Sequence, residues 1–534
     1  MKKNLFAILF FFLFINSYCQ TWPKIYGGDS YNWCDGLIET YDKGFLINVQ
    51  VDPGPSVSQM YGWLIKTDIN GNILWQKSVL SSAYLLSFLG IDNTSDGGFI
   101  VAGATNKLDN ENADIMYMKF NSCGQKEWCS ILSTHGNPDY GLKIKSVTDG
   151  YILLSSYYKD LENKRIWLIK IDPTGSILWE QSYLDTIPDI WGEECGDLRV
   201  CLNGDFLISG YCWIKQGIWY SHPLFLKTSP DGIQQWMLPY GQTNTFEGDL
   251  GTYPTENSSG SIYSSARHYR VSSPEEDSPC FVKITSNGQE DYYKDLVSNS
   301  VSGGSTSLDL HNNDSLFISA AWHDVNNLGN VGIFKTDTLG VISKTKILFQ
   351  DTPYGIHSTF FTYDDNYMAA GYFSISSSPT KVYLYKFTRN LEYAPFNSQP
   401  RVYDSLCPHS IISDTTSLDD CAVITKIHEP DKDAGEFNLT LFPNPVADQL
   451  TIVMPERILR QTSAGSFQVS TIYHQWDETT LEIYDLSGKL MLSEPVAGTT
   501  KSVKLDVGSW HSGMYAARVV YKNLVVAIAR FVVK

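Results

Sequence analysis

One string of residues is written twice in this chain almost unchanged. Trp63-Leu-Ile-Lys66-Thr-Asp68-Ile-Asn-Gly71-Asn-Ile-Leu-Trp75 returns as Trp167-Leu-Ile-Lys170-Ile-Asp172-Pro-Thr-Gly175-Ser-Ile-Leu-Trp179. Degenerate copies keep the frame: Lys119 with Gly124 and Trp128, Lys227 with Gly232 and Trp236, Lys283 with Gly288 and Tyr292, and Lys335 with Gly340. Lys386 ends the series without its glycine. Successive lysines lie 53, 51, 57, 56, 52 and 51 residues apart, so seven copies account for nearly all of residues 21–398. Self-similarity at such a period is the signature of a repeat architecture, in which each unit covers its neighbour's apolar face.

Each unit also carries an earlier turn followed by an apolar run, as in Asp96-Gly-Gly98-Phe-Ile-Val101, Asp149-Gly150-Tyr-Ile-Leu-Leu154 and Asn203-Gly204-Asp-Phe-Leu-Ile208. Asp-Gly or Asn-Gly between apolar strings makes a hairpin, because glycine takes positive φ without steric cost. The later Asp-x-x-Gly is a second hairpin. The unit therefore reads as strand A, turn, strand B, variable loop, strand C, turn, and strand D ending in Trp. Four antiparallel strands repeated seven times predict a seven-bladed β-propeller. The seventh copy has Pro395 where the others place Trp, whereas the expected mature N-terminus supplies Trp22, Tyr26 and Gly27 at the spacing of Trp236 with Tyr240 and Gly241. Residues 21–27 are thus expected to complete blade seven and close the ring, leaving no open edge.

The repeat resembles the bacterial quinoprotein-like propeller repeats, whose DxxGxxxW strand pairs dock blades through a tryptophan. That resemblance speaks to fold and not to chemistry. A bound quinone would require adjacent cysteines and matched calcium ligands, and no adjacent cysteines exist. Asp68, Asn70 and Asn72 mimic the start of a calcium loop, but its twelfth position is Val79 rather than a bidentate Glu, so a hairpin turn is expected. No cofactor and no metal is expected.

Residues 1–19 combine Lys2 and Lys3 with an apolar run from Leu5 to Ile15 and small residues at Ser17 and Cys19. This is a secretory signal peptide, too short to span a bilayer. Tyr18 argues against lipidation of Cys19. Export permits disulfides, and nine cysteines remain after Cys19, an odd number that leaves at least one thiol unpaired within the chain. The formal charge of −18 argues against a nucleic-acid surface and against a polybasic membrane patch. The propeller is assigned residues 20–398, and a linker follows at 399–436, where Cys407 and Cys421 are expected to form a local disulfide.

Residues 437–534 read as a small Ig-like β-sandwich. Their blocks are Leu441-Phe-Pro443-Asn444-Pro445-Val-Ala-Asp448, Ile483-Tyr484-Asp485-Leu-Ser-Gly488-Lys489, Leu505-Asp506-Val507 and Gly513-Met-Tyr515. In this order they resemble the C-terminal sorting domain of the type IX secretion system. The resemblance implies a seven-stranded sandwich read by the outer-membrane translocon, and delivery to the outer surface of a Gram-negative bacterium or release from it. The domain holds nine Lys+Arg and eight Asp+Glu, so nearly all the negative charge lies in the cargo.

No HExxH, GxSxG or Walker string occurs, and the ten histidines are scattered. The two longest periods fall in blades four and five, between strands B and C, and a loop face rich in aromatics is expected there. It would carry Trp213, Trp219, Tyr220 and His222, then His268 and Tyr269 beside Arg267, with Trp322, His323 and Asp324 following in blade six. Such a face suits a glycan or peptide ligand bound by a monomeric, non-catalytic scaffold. The alternative is a secreted hydrolase or lyase using Asp324, Glu193 and Glu194.

Overall fold

The computed structural model describes residues 22–54, 59–82, 85–108, 113–133, 140–158, 164–183, 190–216, 218–241, 248–270, 276–298, 300–350, 355–374, 379–425, 440–453, 460–461, 467–468, 479–485, 489–496, 502–521 and 524–534. Residues 1–19, expected to be a signal peptide, and Gly488 lie outside this set. All the regular elements described are strands.

Six consecutive four-stranded antiparallel sheets span 31–80, 86–133, 140–183, 190–239, 248–295 and 300–350. A seventh combines 356–387 with the N-terminal strand Lys24–Tyr26. That strand pairs with Lys381–Phe387 in the register Lys24↔Leu384, Ile25↔Tyr383, Tyr26↔Val382. The seven blades and their closure are as the repeat predicted. The A strands of neighbouring blades touch around the ring axis.

What joins blade to blade is a tryptophan laid on a glycine. A Cβ added to the turn glycine of one blade would meet the strand D tryptophan of the blade before it: Trp75 beside Gly124, Trp128 beside Gly175, Trp179 beside Gly232 and Trp236 beside Gly288. The same relation at the seam sets Trp22 against Gly71, and Tyr26 Oη donates to the Gly71 carbonyl at 2.7 Å, as Tyr183 does to Gly232. These glycines have positive φ, so the turn and the close ring contact both exclude a side chain.

The repeated lysine is not a surface stem. Lys66, Lys119, Lys170, Lys227 and Lys386 are buried, and each reaches back to a carboxylate of its own blade's A–B turn: Asp42, Asp96, Asp149, Asp205 and Asp364. Buried lysine persists only when paired, so this ion pair explains the lysine in those five copies, whereas the half-buried Lys283 and Lys335 turn to Asp291 and to the Arg389 carbonyl. Lys227 is held more closely by Glu256, at 2.6 Å, than by Asp205, at 3.9 Å.

The segment after the ring is a strap on blades one and two. Asp414–Ser417 adds a parallel fifth strand to the outer edge of blade one, in register Asp414↔Lys77 through Ser417↔Leu80. Tyr403 Oη accepts from Ile69 N at 3.0 Å, and Trp75 Nε1 donates to Asp404 at 3.2 Å. The expected Cys407–Cys421 bond does not form. Cys407 bonds Cys123 and Cys421 bonds Cys129. An extended strap moves its two cysteines apart at roughly 3.3 Å per residue, and each meets a cysteine of blade two instead. Cys34, Cys195, Cys201, Cys212 and Cys280 stay as thiols.

The C-terminal unit pairs a three-stranded sheet (440–442, 449–453, 502–506) with a four-stranded one (490–495, 479–485, 513–521, 524–533). Leu450, Ile452, Leu481, Ile483, Tyr515, Ala517 and Phe531 fill the space between them. Asp485 caps its turn by accepting from Lys489 N at 3.0 Å. Asn444 accepts from Val532 N at 2.9 Å and ties the Pro443–Pro445 block to the last strand. Asp448 accepts from Val507 N through its carbonyl, Gly513 pairs with Val533, and Tyr515 Oη donates to the His511 carbonyl.

Candidate binding site

The extra residues of blade four do not make a loop. They lengthen strands B and C to Phe206–Gln216 and Ile218–Thr228, which pair as far as Gln216↔Ile218. Trp213, Trp219, Tyr220 and His222 are therefore strand residues whose side chains alternate between sheet faces. His222 is buried, with Nδ1 3.0 Å from the Tyr240 carbonyl. Trp213 stands edge-on to Tyr211, whose hydroxyl donates to Glu194 at 2.7 Å. The side chains of Trp219, Tyr220 and Glu193 lie outside the described set.

In blade five, His268 is buried against Tyr293 with Nδ1 2.8 Å from Asp295, and Arg267 pairs with Asp277 and lies over Tyr269. In blade six, Trp322 is 8% exposed and packs on Phe334 at 5.2 Å, a core position rather than a loop tip. His323 bonds Ser302, and Asp324 accepts from Asn326 N and Leu328 N as the cap of its turn. The partners of these side chains described above lie on their own or a neighbouring strand.

The charged groups that do converge lie on the axis. Every A strand breaks register at the same level: between Cys34 and Gly36, Phe88 and Gly90, Gly141 and Lys143, Cys195 and Asp197, Ser305 and Ser307, and Ile356 and Ser358, with a double break around Thr252 in blade five. Bulges re-aim the side chains that follow them. The strand halves beyond the break line a cavity of about 320 Å³, within the range of small-molecule sites. Asp35, Glu39, Asp92, Lys143, Lys145, Asp197, Arg199 and Tyr253 all reach it. The lined halves run toward the A–B turns, opposite the B–C face favoured by loop length.

At the centre, Arg199 sits between two carboxylates, 3.4 Å from Asp309 and 3.7 Å from Asp197. Asp309 is held from behind by the hydroxyls of Thr359 and Tyr367. Burial pushes the Asp309 carboxyl up, against the pull of Arg199. Burial works to lower the Arg199 pKa, but Asp197 and Asp309 outweigh it and the net shift is upward. Tyr253, at φ 53°, donates its hydroxyl to the His357 carbonyl. A bulky side chain in the left-handed region is uncommon and costs on the order of 1–3 kcal/mol. Burial raises Asp35 to about 6 and Glu39 to about 7, and lowers His357 to about 4. Among the described residues, Glu39 Oε1, Asp197 Oδ2 and Arg199 Nε have no hydrogen-bond partner.

A sequence signal for this site existed in the A strands. Lys143 with Lys145 and Asp197 with Arg199 put charge on alternate residues of strands whose counterparts in blade one are Gly36 and Ile38. Loop length points to the opposite end of the ring.

Residues 440–534 match the secretion system C-terminal sorting domain. The protein is therefore handled by the type IX route and reaches the cell surface or the extracellular space. No curated protein matches the chain. Among solved structures, a protein of unknown function from Dyadobacter fermentans is 9% identical, with 68% of this chain and 97% of that one covered and a TM-score of 0.39. An ulvan lyase of polysaccharide lyase family PL25 is 9% identical over 69% and 96%, with a TM-score of 0.47. The GH93 α-L-arabinofuranosidase of Fusarium graminearum is 10% identical over 56% and 92%, with a TM-score of 0.37.

Proposed function

We propose that the exported propeller is a recognition module that takes a polyhydroxylated ligand, a saccharide, into its central channel and releases it unchanged. One observation carries this reading: a polar cavity lined by Glu39, Asp197 and Arg199, each with a buried polar atom that has no hydrogen-bond partner among the described residues. Such groups are costly to leave unmade, and a ligand rich in hydroxyls offers a donor and an acceptor at each atom. Positive and negative groups are mixed along the wall, which suits a neutral sugar better than an ion.

A second reading, a secreted hydrolase or lyase, is favoured by Asp35, Glu39 and Asp197 sharing one cavity, with Glu39 held near the pH at which an acid can both give and take a proton. Incubating the mature protein with an array of glycans, with binding and cleavage both read, separates the two. Binding without cleavage is expected. Cleavage lost in Glu39→Gln would move the protein to the enzyme class. Delivery is tested by removing residues 440–534: the propeller should fold and stay in the periplasm, and surface appearance of the truncated chain would refute the sorting role.

A further inference from the structure

We infer that Asp197 and Arg199 together anchor one sugar ring by two adjacent hydroxyls, and that Tyr253 closes the channel behind it, so that the ligand is the end of a glycan chain or a free short saccharide. The inference rests on the channel being the saccharide site, as proposed above.

Asp197 is 4% exposed, yet among the described residues its Oδ2 has no hydrogen-bond donor and Arg199 Nε has no hydrogen-bond acceptor. The two atoms face each other at 3.7 Å, too far for a hydrogen bond. The arrangement cannot tighten at will, because Asp309 holds the other end of the guanidinium and is itself fixed by Thr359 and Tyr367. What remains on the cavity wall is a carboxylate beside a guanidinium, an acceptor group next to a donor group. Adjacent hydroxyls of a pyranose match that pair, one donating to the carboxylate and the other accepting from the guanidinium.

Tyr253 supplies the stop. Its hydroxyl, carried on blade five, bonds a carbonyl of blade seven. Arg199 of blade four lies 5.6 Å from its ring centre and Lys143 of blade three 5.8 Å. Groups from four blades meeting one phenol ring place that ring near the axis, across the channel. A chain threaded through the ring would have to displace it. A cavity of about 320 Å³ on one side of such a bar leaves room for little more than a chain terminus.

The test uses the full mature protein and a panel of methyl glycosides of the common hexoses and pentoses, with their single-position deoxy derivatives, measured by titration calorimetry. At least one glycoside should bind wild type. Its affinity should fall tenfold or more in Asp197→Ala, and by a similar factor when either of two neighbouring hydroxyls is missing. In the variant, the deoxy sugar should lose nothing further. The same sugar inside an oligosaccharide capped at both ends should not bind. If Asp197→Ala lowers the melting temperature, the isosteric Asp197→Asn serves the same comparison. Undiminished binding by both Asp197 variants, or full binding of the capped chain, overturns this inference while leaving the channel reading standing. Failure of every glycoside and every array glycan to bind overturns both.

Discussion

Trp22→Ala tests the closure of the ring at a single side chain. Trp22 is 3% exposed, stacks on Phe396 at 5.5 Å, donates Nε1 to the Ala394 carbonyl at 3.1 Å and lies against Gly71 of blade one. It stands at the seam where strand D of blade seven comes from the other end of the chain. Truncating a buried tryptophan costs about 3–5 kcal/mol, with the lost hydrogen bond included. A loss of about 4 kcal/mol is a large share of a typical folding free energy of roughly 5–15 kcal/mol. Ile25→Ala, in the same strand but 52% exposed, is the control, with an expected change within about 0.5 kcal/mol. Guanidinium unfolding followed by far-UV circular dichroism reads both, free of the tryptophan signal that the substitution itself removes. A Trp22→Ala loss below about 1 kcal/mol, or equal losses at the two positions, would refute the view that this strand holds the ring shut.

Lys66→Met should destabilise by about 3–5 kcal/mol because Asp42, almost wholly buried, is left without its counter-charge, and adding Asp42→Asn should recover part of the loss in a double-mutant cycle. Non-reducing peptide mapping should yield Cys123 joined to Cys407 and Cys129 to Cys421; the double change Cys407→Ser and Cys421→Ser should cost about 2–4 kcal/mol in the same unfolding assay. A peptide joining Cys407 to Cys421 would contradict the strap. Asp35 titrates near 6 in the folded ring against 3.8 in its ordinary state, so the folded form binds the proton more tightly and stability falls as pH rises between those values. Asp35→Asn should therefore gain on wild type from about pH 4 to about pH 6 and keep a constant lead above; a lead that shrinks with rising pH would show the sign to be wrong.

The ring was legible in the sequence because its determinants are local and repeated. The turn glycines, the strand D tryptophans and the Trp22 that completes the series are each read off a spacing, and a two-residue code of positive φ and ring contact forces them to recur. The lysine was visible as a repeat but not as an ion pair, since its partner at the A–B turn lies 21 to 24 residues upstream and varies in spacing, as Asp42 to Lys66 and Asp149 to Lys170 do. The disulfides escaped because proximity in sequence is a poor guide once a segment runs extended. The channel escaped for a further reason. Its residues come one or two to a blade, from Asp35 to Tyr253, and only the register breaks of the A strands turn them toward a common axis. Loop length and aromatic content marked blade four instead, where the added residues went into longer strands.

A crystal structure of the mature protein with the tightest-binding glycan from the array tests the central claim most directly. Sugar density in the central channel, with hydroxyls within hydrogen-bond reach of the Asp197 carboxylate and the Arg199 guanidinium and the chain leading away from Tyr253, is the predicted result. Sugar density on the hairpin face of blades four to six, with the channel holding none, would contradict it.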